Sequence, residues 1–214
     1  MAAKVLKIWR REKKIHKKMI FIYFFRTFAA KIRKNMEQRN LVTADKDTEL
    51  FPEVDEVGNI VGQMSRAEAH DGTKRLHPVV HLHVFDPEGK LYLQHRAKWK
   101  TVQPDKWDTA TGGHIDWGED VMTALAREVY EEIGLPSGSY TPKLAKTYIY
   151  ENNIERELVY VFTTEYDGEP LPSPTETQGG KFWSISEIHS AIGKNILTPM
   201  FEKEVLFVIP AAEP

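Results

Sequence analysis

From residue 53 onward, apolar and polar positions alternate in short runs that predict strands, interrupted by one long stretch of helical character. Residues 54–62 read as a hairpin with Gly58-Asn59 at its turn. Residues 65–70 predict a short helix, with Ser65 as N-cap and Glu68, three residues on, as its capping-box partner. Residues 77–85 are β-rich, and Asp86-Pro87-Glu88-Gly89 turns the chain into a second strand at 90–95. The clearest helix covers 120–133, stopped by Gly134-Leu135-Pro136. Two further strands, 148–150 and 156–164, are joined through residues 151–154. Residues 168–180, rich in Pro, Thr and Gly, predict a loop; Phe182-Trp183 ends a last strand, and Ser186 caps a helix over 187–192. There is no internal repeat. Strands outnumber helices and the central helix needs a sheet to pack on, so the expected fold class is α/β, a sandwich with a mixed sheet.

Composition narrows this. At 214 residues, with 41% hydrophobic and 28% charged, the chain suits one globular domain with or without a tail. It contains no cysteine, which excludes disulfides, thiolate metal sites and a cysteine nucleophile or acid. The net charge of −2 conceals a division. Residues 1–39 hold 13 Lys and Arg against Glu12 and Glu37, a net +11, which leaves −13 for residues 40–214. A basic N-terminal arm on an acidic domain is the expected organisation. The arm's apolar run, residues 19–25, falls far short of the ~20 residues a spanning helix needs. Three readings stay open for it: a disordered leader or an upstream stretch not made at all if Met36 starts the protein, an amphipathic segment for an anionic surface, and a targeting signal. Arg26, Lys31, Arg33 and Lys34 sit badly with the last.

Chemistry concentrates between Gly113 and Leu135. Glu128, Glu131 and Glu132 stand at i, i+3 and i+4, on one helical face. Arg127 is the one basic residue within 120–133, so the helix cannot neutralise this face itself. Oxygen ligands at such density suit Mg²⁺ or Mn²⁺, ions that bridge phosphate oxygens and lower the pKa of bound water. An exposed, solvated acidic face is the alternative.

The same stretch resembles the Nudix box, G-x5-E-x7-R-E-U-x-E-E-x-G-U with U aliphatic, at every defined position. That resemblance implies an α/β/α sandwich with a mixed sheet, and Mg²⁺-dependent hydrolysis of a diphosphate linkage. It implies that Glu128, Glu131 and Glu132 hold the metal with the Gly113 carbonyl. Arg127 and Glu119 would then pair to fix the loop against the helix, Glu119 being a further candidate ligand. One of these glutamates, or Glu157 beyond the box, would activate the water.

Outside the box, residues 53–192 look like the type 1 isopentenyl-diphosphate isomerases and their hydrolase-like relatives. By that likeness His70, His77 and His114, with Glu155 and Glu157, match a separate metal site, for which Zn²⁺ or Mn²⁺ suits the donors. Glu155 and Glu157, two apart on a strand, share a face. Arg96 and Lys100 match residues that grip the substrate diphosphate. Trp107 and Trp117 flank the box and are candidates for stacking on a substrate or packing in the core. His81 and His83 share a strand face and read as satisfied, half-exposed side chains. Tyr150, with Tyr148 beside it, is a weak match to a tyrosine of dinucleoside polyphosphate hydrolases.

Two departures weigh against isomerisation. The isomerases need a cysteine at the position of Gly112, and they commonly lose the acids matching Glu128 and Glu131, both present here. The expected activity is therefore hydrolysis of a nucleoside-diphosphate-type or other organic diphosphate. Isopentenyl-diphosphate isomerisation and a non-catalytic nucleotide sensor are the alternatives. A small-molecule diphosphate is the expected partner, with no nucleic acid; a homodimer is open, and the expected location is the cytoplasm.

Overall fold

The structure, a computed structural model, describes residues 49–100, 102–174 and 176–209. The basic arm and its three readings lie outside them. Strands β1 (Leu50–Val54) and β2 (Ile60–Ser65) form the expected hairpin, closed at the turn by Asp55, whose side chain accepts from the Val57 and Asn59 amides. Helix α1 (Arg66–Ala69) follows directly, with Ser65 and Glu68 in a reciprocal capping box. The main sheet contains β3 (Leu76–Phe85), β4 (Leu91–Arg96), β5 (Trp107–Asp108), β6 (Thr111–His114), β7 (Lys143–Glu151), β8 (Arg156–Glu165) and β9 (Thr177–Trp183). Its order is β5-β4-β3-β8-β7, with β6 on β3 and β9 on β4. The central pair β3/β8 runs parallel and the other pairs antiparallel, so the sheet is mixed.

Strand β3 is buried along nearly its whole length, and its alternation allots side chains to two layers. Val80, Leu82 and Val84 pack against helix α2 (Val121–Ile133) through Leu125, Val129 and Ile133. Val79, with Val159 and Val161 of β8, packs on the opposite side against helices α3 (Ile185–Ala191) and α4 (Pro199–Val208) through Ile188, Phe201 and Val205. Each such residue, fully buried, contributes roughly 1.5–3 kcal/mol. Two helical layers about one mixed sheet form an α/β/α sandwich, as expected.

Helix α2 starts at Asp120, whose carboxylate accepts from the Thr123 amide at 2.8 Å, and stops at Gly134 in the left-handed region. Several details differ from the sequence expectation: strands β5 and β6 went unpredicted, and β1 begins at Leu50 rather than Val54. Strand β9 begins at Thr177, inside the predicted loop. Helix α3 is capped by Ser184 rather than Ser186, because Glu187 stands three residues after Ser184 and completes its capping box. Strand β7 extends back to Lys143, its exposed first half lacking apolar alternation. Helix α4 went unpredicted, although Thr198-Pro199 is a helix-start signal: Thr198 accepts from the Phe201 amide and Pro199 takes the first turn. Among the described residues no helix is long and apolar enough to cross a membrane.

Candidate active site

Register brings together residues distant in sequence. His77 lies opposite Glu157 on β8, while Val79 and His81 lie opposite His114 and Gly112 on β6. Opposed residues share a face, so His77, His81, Gly112, His114 and Glu157 all belong to the α3/α4 side of the sheet. The ion pairs of Arg75 with Glu53 and Glu68 tie the β1–β2–α1 segment to the start of β3, and this delivers His70 from the end of α1.

His70, His77 and His114 converge so that one ring nitrogen from each lies within 4.8 Å of the others. His70 Nδ1 donates to the Arg66 carbonyl at 2.7 Å and His77 Nδ1 to the Arg75 carbonyl at 3.1 Å, which turns both Nε2 atoms into the cluster. Phe51, fully buried, stacks on His114 at 4.4 Å between ring centroids. Glu155 Oε2 lies 3.2 Å from His70 Nε2, and Glu157 Oε1 lies 3.9 Å from His77 Nε2. His77 Nε2, His114 Nε2 and Glu157 Oε2 are buried and accept or donate no hydrogen bond. Burial pushes His77 down to about 4 and holds His114 low, so both are neutral and carry a lone pair at neutral pH. Burial beside Glu155 pushes Glu157 up to about 8. Orphaned lone pairs facing one another are costly unless a cation joins them. The donor set, imidazole with carboxylate, therefore fits a divalent transition metal.

The box glutamates are disposed differently. Glu128 is buried against Gly113, where a Cβ would fall 2.1 Å from its Cδ, and it receives Arg127 NH1 at 2.5 Å. Burial pushes Glu128 up to about 8 despite that arginine. Arg127 also grips both Glu119 oxygens, at 2.9 and 2.7 Å, and the His114 carbonyl at 2.9 Å, which clamps the loop to the helix. Glu131 lies 3.6 Å from Arg127. Glu132 accepts from the Thr111 hydroxyl, the Gly112 amide and Gln94 at 2.6, 3.1 and 3.2 Å. Glu128 and Glu131 thus share Arg127 while Glu132 takes its own donors, and among the described residues only the histidines converge as a metal-ligand group.

Arg96 pairs with Asp108 at 3.1 Å and Lys100 with Glu176 at 2.5 Å. Trp107 stacks on His95 at 4.6 Å and meets Trp183 edge-on, a half-buried packing position, whereas Trp117 is exposed and unsuited to the core role open to it. His81 and His83 correct another expectation. Both are buried rather than half-exposed, and Glu204 of α4 holds them, receiving His81 Nδ1 at 2.8 Å, His83 Nε2 at 2.7 Å and the Tyr148 hydroxyl at 2.8 Å, while His83 Nδ1 is buried without a partner. Glu204 was missed because α4 was missed.

The site is thus an acidic loop-helix-loop beside a His/Glu cluster, carried on an α/β/α sandwich. The NUDIX domain model matches residues 75–203, and the chain belongs to that family. Within it, the isopentenyl-diphosphate Delta-isomerase of Nocardia farcinica is 31% identical over 74% of this chain and 93% of its own length. Isopentenyl-diphosphate Delta-isomerase 1 of Photorhabdus laumondii is 29% identical over 71% of this chain and 89% of its own. Among solved structures, DR0079 from Deinococcus radiodurans superposes with a TM-score of 0.65 at 20% identity, covering 75% of this chain and 99% of that one, a likeness of fold.

These relatives overturn the expectation of hydrolysis. Curated proteins matched over most of the chain at about 30% identity are named isomerases. The expectation had rested on the missing cysteine and the retained box acids. A missing thiol removes one proton-transfer group from a reaction that several groups can serve, and Glu128 and Glu131 both pair with Arg127, so their retention is consistent with structural work.

Proposed function

We propose that this chain isomerises isopentenyl diphosphate, moving its double bond to the allylic position by protonation at one carbon and deprotonation at another. The carrying observation is the convergence of His70, His77 and His114 with Glu155 and Glu157, three of whose polar atoms are buried without partners. The names of the relatives matched at about 30% identity support the same reading. These five residues would hold a divalent ion, Mn²⁺ or Zn²⁺ by donor type. When bound, that ion supplies positive charge that keeps Glu157 ionised in a buried setting.

The remaining roles belong to the chain's own side chains. Arg96 and Lys100 bind the diphosphate by exchanging their carboxylate partners for phosphate oxygens. Glu128 and Glu131, with the Gly113 carbonyl, offer oxygens for a Mg²⁺ that accompanies the diphosphate, while Glu132 fixes the Gly112 amide from below. Arg127 and Glu119 position the loop. Trp107, at the rim of the apolar layer, borders the hydrocarbon.

Proton NMR in D₂O tests this directly. Isopentenyl diphosphate with Mg²⁺ and Mn²⁺ is expected to yield its allylic isomer with deuterium entering the methyl group. Absence of conversion by metal-loaded protein, with the substrate recovered intact, would overturn the proposal.

A further inference from the structure

Moving a double bond requires two groups, one giving a proton and one taking a proton. Glu157 supplies one, with Oε2 buried and free of hydrogen bonds. The chain has no cysteine, and Gly112 contributes no side chain.

The space before Gly112 is nonetheless filled. His81 stands directly opposite Gly112 in the β3/β6 ladder. A Cβ built on Gly112 would lie 2.8 Å from His81 Cδ2 and 2.9 Å from its Nε2, so the imidazole edge covers the glycine and no side chain fits there. Glycine is required by this approach. At the other edge of the ring, Nδ1 donates to Glu204 Oε1 at 2.8 Å. Glu204 is fully buried and takes two more donors, His83 Nε2 and the Tyr148 hydroxyl, which hold it ionised. A buried carboxylate on one imidazole nitrogen orients the ring and favours the proton on it, leaving the other nitrogen for chemistry. Among the described residues Nε2 makes no hydrogen bond. Along the sheet, Glu157 pairs with His77, four residues before His81 on the same face, a separation on the order of 13 Å between backbone positions.

We propose, resting on the isomerase reading, that His81 is the second proton-transfer group, oriented by Glu204 and exposed to substrate through Nε2 above Gly112. His81, as the imidazolium that the buried Glu204 carboxylate stabilises, gives its Nε2 proton to the terminal CH₂ carbon; the alkene π electrons form the new C–H bond and leave a tertiary cation at C3. Glu157 Oε2 takes a proton from C2, and that C–H electron pair becomes the C2=C3 double bond. His81 ends one proton short and Glu157 one proton richer, and exchange with water restores both.

The test compares wild type, His81→Gln, His81→Ala and the double variant His81→Ala/Gly112→Cys in the deuterium-incorporation assay, with melting temperatures for each. Glutamine retains the hydrogen bond to Glu204 but transfers no proton, so activity is expected to fall at least about 100-fold with folding intact. Cysteine at position 112 enters the space vacated by the imidazole and is expected to raise activity at least about tenfold over His81→Ala alone, a rescue that a purely structural histidine would not permit. Active wild type with His81→Gln within threefold of it overturns the assignment of His81 and leaves the isomerase reading standing. If His81→Gln does not fold, the double variant decides: rescued activity supports the assignment, and a folded, inactive protein overturns it. Inactive wild type sinks the isomerase reading and the assignment together.

Discussion

His83 Nε2 donates to Glu204 Oε2 at 2.7 Å across 121 residues of chain, and both side chains are fully buried. This bond, with those from His81 and Tyr148, fastens α4 to the central strand and to β7. Removing the carboxylate leaves three buried donors facing an apolar wall. Glu204→Ala is expected to lose about 3–5 kcal/mol, read by denaturant unfolding; a loss below about 1 kcal/mol would show that the network carries little stability.

The same network sets a pH dependence. Burial disfavours the His81 imidazolium, but the Glu204 charge and hydrogen bond outweigh it and raise the pKa to about 9 from its ordinary 6.5. A raised folded-state pKa gives stability that is complete below pH 6.5 and lost as pH rises towards 9. Glu204 is held below its ordinary value by the two histidines in spite of burial, so its share is present above pH 4.5 and lost in acid. The network's contribution to stability is expected to be greatest near pH 5–6.5 and to fall by about 2–3 kcal/mol by pH 9.5. Unfolding curves of wild type and His81→Gln at pH 6 and 9.5 check this: wild type is expected to lose about 2–3 kcal/mol more than the variant, and equal losses in the two refute the attribution to His81.

Gly113→Ala would set a methyl 2.1 Å from Glu128 Cδ, on the helix side of β6. Either the glutamate or the strand must shift, which disturbs the Arg127 clamp. The expected cost is about 1–3 kcal/mol, visible as a lowered melting temperature. An unchanged melting temperature would mean that the Glu128 side chain swings away freely.

His77→Ala and His114→Ala each remove a buried nitrogen with no protein partner. Each variant is expected to bind one divalent ion fewer per chain than wild type when dialysed against Mn²⁺ or Zn²⁺ and measured by elemental analysis. The Glu131→Gln variant, outside the histidine cluster, keeps that ion. Equal metal content in wild type and both histidine variants would refute a site there.

Much of the local structure was legible because its causes are local. The capping box at Ser65 and Glu68, the Gly58-Asn59 turn and the Gly134 stop act over three or four residues, and each appears as expected. Helix α4 shows the opposite case. Its core face includes Glu204, so its pattern resembled a mixed segment until the histidines that neutralise it were in view. His81 and His83 read as half-exposed for the same reason, since nothing within β3 reveals a carboxylate more than a hundred residues away.

Residue types and spacings alone settled the α/β class and the acidic helix face, because periodicity is a property of short segments; the five metal-ligand candidates came from the likeness to the isomerases. Which groups face one another was decided by register: β3 parallel to β8 places His77 opposite Glu157, and β3 antiparallel to β6 places His81 over Gly112. A strand slipped by one residue would send each of these side chains to the other layer. Glycine at 112 looked like a loss of chemistry in sequence; in three dimensions it is the space that a buried, carboxylate-held histidine occupies.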